Sequence, residues 1–227
     1  MSKEFTVAEV RPGRRIAFFI DSFNMYHALR GKKYHQYKWL DYSRLCQCYV
    51  KKKDTITGIQ FFTAYIPYST EKLIRQRKLV RALESKGVQI VKGVYKKKNR
   101  YCRLCHQVYE TWEEKQTDVN IAIELFRNAV LDKYDTAMVM TGDSDLIPAI
   151  HAVKEAFPEK TIGVIIPIAR GSKYLKQEAD FYMKMTEKHL STSQFPDKVT
   201  LDDGRVIQKP DKWRPEYGKS TEVISVE

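Results

Sequence analysis

The chain has little cysteine: four in 227 residues, at positions 46, 48, 102 and 105. That is too few for a disulfide scaffold in a chain of this size, and the expected compartment is a reducing cytosol, a cytoplasmic setting. No uninterrupted apolar run approaches the roughly 20 residues that a membrane helix needs, so no membrane partner is expected. The opening segment MSKEFTVAEVRPGRRIAFFI places charges on both sides of a short apolar run and has no small-residue cleavage site after it. It does not read as a signal peptide. Acid is in deficit as well: 28 Asp and Glu stand against 40 Lys and Arg, a formal charge of +12. A bias of this size points to a polyanion partner such as nucleic acid, with a self-repelling soluble surface as the plainer explanation. No internal repeat is present.

The length suits one α/β core with appendages. Apolar runs of strand length occur at 16–20, 56–65, 88–94, 137–140 and 162–168, and helical patterns at 23–29, 43–50, 70–85, 112–131 and 145–156. Strand alternating with helix argues for a mostly parallel sheet covered on both faces. In the helix expected from Trp112, the stripe Val119, Ala122, Ile123, Phe126, Ala129 and Val130 is the predicted core face, and Thr111 with Glu114 forms a predicted capping box. Two regions depart from the alternation. One is a basic, cysteine-bearing insert at 96–110; the other is the polar tail at 191–227. In that tail Asp202-Asp203-Gly204 reads as a hairpin turn, Pro210 and Trp213 as a return to the domain, and the residues from about Tyr217 as mobile. Residues 1–13 read as an N-terminal extension.

Ligands of open parallel sheets bind at the carboxyl ends of strands. Asp21 ends the run FFID, and Asp143 and Asp145 follow AMVM in the segment TGDSD, so these acids are expected on one edge. Asp118, one position before the apolar stripe, is the further candidate. Clustered carboxylates repel unless a cation neutralises them, and Mg²⁺ or Mn²⁺ takes oxygen ligands. Each acid has a plainer role too, since Asp21 or Ser22, and Ser144 or Asp145, stand where helix caps stand. Convergence of independent strand ends is what favours a site.

The segments FIDSFNMY at 19–26, EEKQTDVNIAIEL at 113–125 and TGDSDLIPAI at 141–150 resemble the three signature segments of the NYN domain family, within the PIN-like nuclease superfamily. The positions that match are Asp21 and Asn24, Lys115 and Asp118, and Asp143 and Asp145, over roughly residues 14–190 in order. AIHAVKEAFPEK and QFPD also resemble the LabA-like branch. Thr141 stands where Ser is common, and Ser22 where Gly is frequent. The resemblance implies a three-layer α/β/α, Rossmann-like PIN domain that hydrolyses phosphodiesters, usually in RNA, with Mg²⁺ or Mn²⁺ held by Asp21, Asp118, Asp143 and Asp145. Products would carry 5′-phosphate and 3′-hydroxyl ends. Asn24 would orient a water or a ligand carboxylate; Lys115 would pair with Asp118 or touch the scissile phosphate. The alternative is a non-catalytic NYN module that binds nucleic acid. A haloacid dehalogenase-like phosphatase wants a second Asp where Phe23 stands, and a Toprim-like site wants a Gly-rich loop with Glu that is not evident.

Lys96, Lys97, Lys98, Arg100 and Arg103, interleaved with Tyr95 and Tyr101, form the expected substrate-binding loop. Arg75, Arg77, Lys78 and Arg81 read more simply as a solvated helix face. Arg170, Ser172 and Lys173 precede a short helix whose first amides suit a phosphate, unless Ser172 is only its cap. Cys102-x-x-Cys105 has zinc-knuckle spacing but is half a site. The candidates for the rest are Cys46 with Cys48, His106 with a water, or a second subunit in a homodimer; ordinary thiols are the alternative.

Overall fold

A computed structural model describes residues 13–215, so most of the N-terminal extension and the segment from Tyr217 lie outside the described residues. The chain begins with strand β1 (Arg15–Asp21), helix α1 (Ser22–Ala28), a 3₁₀ turn at His35–Lys38 and helix α2 (Tyr42–Gln47). Strand β2 (Thr55–Thr63), helix α3 (Thr70–Glu84) and strand β3 (Gln89–Lys92) follow. Next come β4 (Val94–Tyr101), β5 (Val108–Lys115), α4 (Thr117–Val130), β6 (Thr136–Met140), a 3₁₀ turn at Ser144–Leu146 and α5 (Ile147–Ala156). The remainder is β7 (Thr161–Ile166), α6 (Lys173–Glu178), β8 (Phe181–Lys184), α7 (Glu187–Thr192), β9 (Lys198–Thr200) and β10 (Val206–Gln208).

Six strands form one parallel sheet in the order β3-β2-β1-β6-β7-β8. β1 shows why the sheet is covered twice. Ile16, Phe18 and Ile20 join the core beneath α1, α2, α3 and α7, whereas Ala17 and Phe19 join the core beneath α4, α5 and α6. Phe18 and Phe19 are each 1% exposed, and burying each contributes roughly 1.5–3 kcal/mol. The architecture is therefore three-layer α/β/α. Strand order reverses direction between β1 and β6, and that reversal opens a crevice at their carboxyl ends. At the opposite edge, Arg15 pairs with Asp132 and Asp135 at 2.8 and 2.6 Å, and the buried Lys160 reaches Asp132 at 2.6 Å. One end of the sheet thus holds matched charges, and the other gathers acids.

Two expectations need correction. The 96–110 insert is the body of an antiparallel hairpin in which Val94–Tyr101 pairs with Val108–Lys115, so Trp112 lies in a strand rather than at a helix start. Helix α4 begins at Thr117, after Gln116 turns through φ +80°, and Thr111 and Glu114 form no capping box. Glu114 instead reaches forward, its Oε1 accepting from the Thr117 N–H at 3.0 Å and from the Thr117 hydroxyl. The core face of α4 also differs from the predicted stripe. Thr117, Ile121, Leu125, Asn128 and Ala129 are buried, while Val119, Ile123, Phe126 and Val130 are exposed. This helix carries two apolar stripes, and the docking of its first turn against the hairpin selects the one that faces the sheet.

The polar tail also packs. Val199 pairs with Ile207 across a turn in which Gly204 takes φ +80°, and Trp213 is buried with its ring 6.2 Å from that of Trp39.

Candidate functional site

Asp21 is the last residue of β1, 3% exposed, and its two oxygens have separate tasks. Oδ1 accepts from the Asn24 N–H at 3.0 Å and so caps α1; Oδ2 accepts from the Thr141 hydroxyl at 2.9 Å. The capping role is thus real, but it uses one oxygen and leaves the carboxylate at the crevice floor. Burial pushes its pKa up, bonds from Asn24 and Thr141 oppose that, and the charge of Asp143 adds to the rise.

The segment after β6 is tied to the same point. Asn24 Oδ1 accepts from the Gly142 N–H at 3.1 Å, and Thr141 Oγ1 accepts from the Asp143 N–H at 3.1 Å. Asp143 Oδ1 accepts from the Asp145 N–H at 3.0 Å, so Asp143, not Ser144 or Asp145, caps the 3₁₀ turn. A Cβ on Gly142 would stand 3.2 Å from Asn24 Oδ1 and 3.4 Å from Arg170 Cβ, which puts Arg170 against this loop. Asp118 stands in the first turn of α4. Desolvation and the neighbouring charges of Asp21, Asp143, Glu114 and Asp145, in that order, raise its pKa to about 6. Acids from β1, α4 and the β6 loop therefore share the switch point, where Asp118 feels the charges of Asp21, Asp143 and Asp145, and Asp21 that of Asp143. Among the described residues, no three His, Cys, Asp or Glu side chains converge closely enough to hold one ion directly.

Residues outside the acids fall differently. Lys115 pairs with Glu113 at 3.1 Å, and because Gln116 breaks the backbone between them, Lys115 and Asp118 do not share a helix. On the hairpin, Lys97 meets Glu110 at 2.9 Å, Lys98 meets Glu113 at 3.0 Å and Arg100 meets Glu113 at 4.0 Å. Lys96 and Arg103 have no such partner among the described residues. These pairs lie at the surface, where solvent screening leaves an ion pair weak, so they can exchange for phosphate. Ser172 caps α6 through the Leu175 N–H at 3.3 Å, and α6 has only six residues, so the cap accounts for Ser172 without a phosphate.

The four cysteines do not form one site. Cys46 is buried in α2, where desolvation pushes its thiol up, whereas Cys102 and Cys105 lie at the turn of the hairpin. N–H groups of Cys105 and Leu104, with the Cys105 thiol, hold the Cys102 thiol below its usual range. Cys46 and Cys48 do not form the second half of a zinc centre, and among the described residues no third ligand joins the pair.

Sequence reasoning missed Thr141, whose hydroxyl links Asp21 to Asp143, and Gly93. A Cβ there would stand 2.7 Å from Lys115 O and 2.8 Å from Thr117 Oγ1. The Gly between the apolar run and the basic run was a signal for such a close approach.

The NYN domain model matches residues 15–186. The chain belongs to the NYN domain family. NYN domains fall within the PIN-like nuclease superfamily, which uses divalent metals and acts on nucleic acid. A protein named 6-hydroxy-3-succinoylpyridine 3-monooxygenase HspA, from Pseudomonas putida (strain DSM 28022 / S16), is 23% identical over 248 residues, covering 90% of this chain and 76% of its own. The crystal structure of a protein of unknown function, VPA0982 from Vibrio parahaemolyticus RIMD 2210633, superposes with a TM-score of 0.55 at 17% identity. It covers 78% of this NYN chain and 96% of its own, and supports the fold alone. No helix among the described residues is long and apolar enough to cross a membrane.

Proposed function

We propose that this NYN domain is a divalent-metal-dependent nuclease of the cytoplasm that hydrolyses phosphodiester bonds, most readily in RNA. What supports the reading is that Asp21, Asp118, Asp143 and Asp145 all stand at the switch point, where Asp118 feels the charges of the other three. An all-oxygen donor set of this kind fits Mg²⁺ or Mn²⁺ chemically, and the four acids would hold the ion in part through water. When bound, such an ion supplies an activated water and neutralises charge on the phosphate and leaving oxygen. Asp21 is held in place by Asn24 and Thr141, so its carboxylate is oriented before substrate arrives. Asn24 in turn fixes the Gly142 backbone, and with it the loop that carries Asp143. Lys96, Arg103 and Arg170 supply cations for the strand, with Lys97, Lys98, Arg100 and Lys115 available by exchange of their exposed partners.

A nucleic-acid-binding module without turnover is the second reading. It is favoured by the absence, among the described residues, of a three-ligand group. The two separate in one assay. Pooled cellular RNA incubated with the protein in Mn²⁺ is expected to acquire new 5′-phosphate ends, which disappear in EDTA and return when the ion is restored. Cleavage that persists in EDTA contradicts the metal reading. Binding without new ends selects the second.

A further inference from the structure

Beside the carboxylate edge, between α1, α3 and the 3₁₀ turn at His35–Lys38, lies a cleft of about 620 Å³. Ligand pockets span about 300–1,000 Å³. Its lining includes Ser22 and Phe23, which directly follow Asp21, and Tyr42, whose buried phenol is held above its usual range by burial and then by the charge of Asp21. Cleft and carboxylates are therefore neighbours.

The lining has two chemical poles. One is aromatic: Phe23 and Tyr68 each meet Tyr95 edge-on, with ring centroids 6.1 and 5.8 Å apart, and because Tyr68 is already stacked on Trp112 and covered by the Lys72 ammonium, Phe23 and Tyr95 form the wall for a planar ring. The other is cationic, with Arg30, Lys38 and Arg75 all in the lining. The Lys38 ammonium stands 4.6 Å from the Tyr26 ring centre and pairs with no carboxylate among the described residues. Arg75 has only Glu71, at 3.4 Å, and Glu71 is 86% exposed. Burial, then Arg30 and Arg75, holds the Lys38 ammonium below its usual range. Lys38 and Arg75 are half-buried and Arg30 is exposed; Lys38 feels the repulsion of both arginines, and an anion beside it relieves that repulsion.

We propose that this cleft binds a planar aromatic ring carrying an anionic group, the chemistry of one unstacked nucleobase with its phosphate. The ring-and-anion site stands on its own residues. That it seats a nucleotide beside the bond to be cut rests on the nuclease reading above. The ring would lie against the Phe23 and Tyr95 wall and the phosphate between Arg30 and Lys38. Stacking on aromatic side chains is sequence-tolerant, so the site selects for an unpaired base more than for its identity.

The test uses Asp143→Asn protein in EDTA, so that binding is read without turnover. Adenosine 5′-monophosphate is titrated by calorimetry against adenosine, which has the ring alone, and ribose 5-phosphate, which has the anion alone. The nucleotide is expected to bind at least about tenfold more tightly than either fragment, a difference of about 1.4 kcal/mol. Lys38→Met and, separately, Arg30→Gln are each expected to weaken it about fivefold or more while thermal midpoints hold. A single-stranded pentanucleotide that competes identifies a strand as the source. One that fails to compete, with the mononucleotide still bound, identifies a free nucleotide; both support the site. Ribose 5-phosphate binding as well as the nucleotide overturns the proposal, as does an affinity unchanged in both variants or no nucleotide binding at about 1 mM. Nucleotide binding with no RNA cleavage by the wild type sinks only the nuclease reading, and cleavage without nucleotide binding sinks only the cleft.

Discussion

Thr141 shows how one hydroxyl can organise an acidic site. It donates to the buried Asp21 and accepts from the Asp143 N–H, so it aligns acids from two strand ends. Thr141→Val keeps the shape and removes both bonds, and is expected to lower unfolding free energy in urea by about 1–3 kcal/mol and to cut cleavage with it. Thr141→Ser, the residue common at this position in the family, restores both. Asp118 gives the pH dependence. Its pKa is raised from the ordinary 3.8 to about 6, so the folded state holds that proton more tightly than the unfolded chain does. The associated stability is complete below about pH 4 and is lost as pH rises through about 6. Asp118→Asn is therefore expected to raise the thermal midpoint in EDTA at pH 8 by about 2–4 °C, a gain of about 1 kcal/mol after allowance for screening, and to show little gain at pH 4. An equal gain at both values would mean that charge repulsion is not the cause. Asp21, Asp143 and Asp145 were legible in the sequence because strand ends place them. Thr141 was not, since its use of both hydroxyl functions depends on a partner 120 residues away.

Among the elements, the hairpin was the least legible. Its basic strand reads as a loop in isolation, and only the cross-strand pairs with Glu110 and Glu113, with Trp112 stacked on Tyr68, reveal a ribbon. Periodicity also failed on α4, where Val119, Ile123, Phe126 and Val130 form as apolar a stripe as Ile121, Leu125 and Ala129. Period alone cannot choose between two such faces. Glu114 and Thr117 pin the helix start, and Gly93, between β3 and β4, passes close to it. Gly93→Ala puts a methyl group against Lys115 O and Thr117 Oγ1, and is expected to lower stability by about 1–3 kcal/mol. Hydrogen exchange should show faster opening confined to β4, β5 and the first turn of α4. Unchanged protection there would mean that the contact does not set the register.

For the molecule as a whole, the alternation of strand and helix was enough to give a covered parallel sheet and the edge on which its acids meet. The sixth strand was hidden, because β8 is four residues long and mostly exposed at the sheet margin. The distribution of charge was hidden as well. A net +12 does not disclose that Lys97, Lys98 and Arg100 of the hairpin are paired with acids while Arg30, Lys38 and Arg75 collect in a cleft beside Asp21. Activity turns on the acids at the switch point. That dependence is tested most directly by the rate at which wild-type and Asp143→Asn protein cleave one labelled single-stranded RNA in Mn²⁺. The amide retains the Oδ1 that caps the 3₁₀ turn, so the fold is expected to persist, with an unchanged circular dichroism spectrum. A fall in rate of at least about 10²-fold is the expected result. A folded variant that cleaves at the wild-type rate would contradict the account.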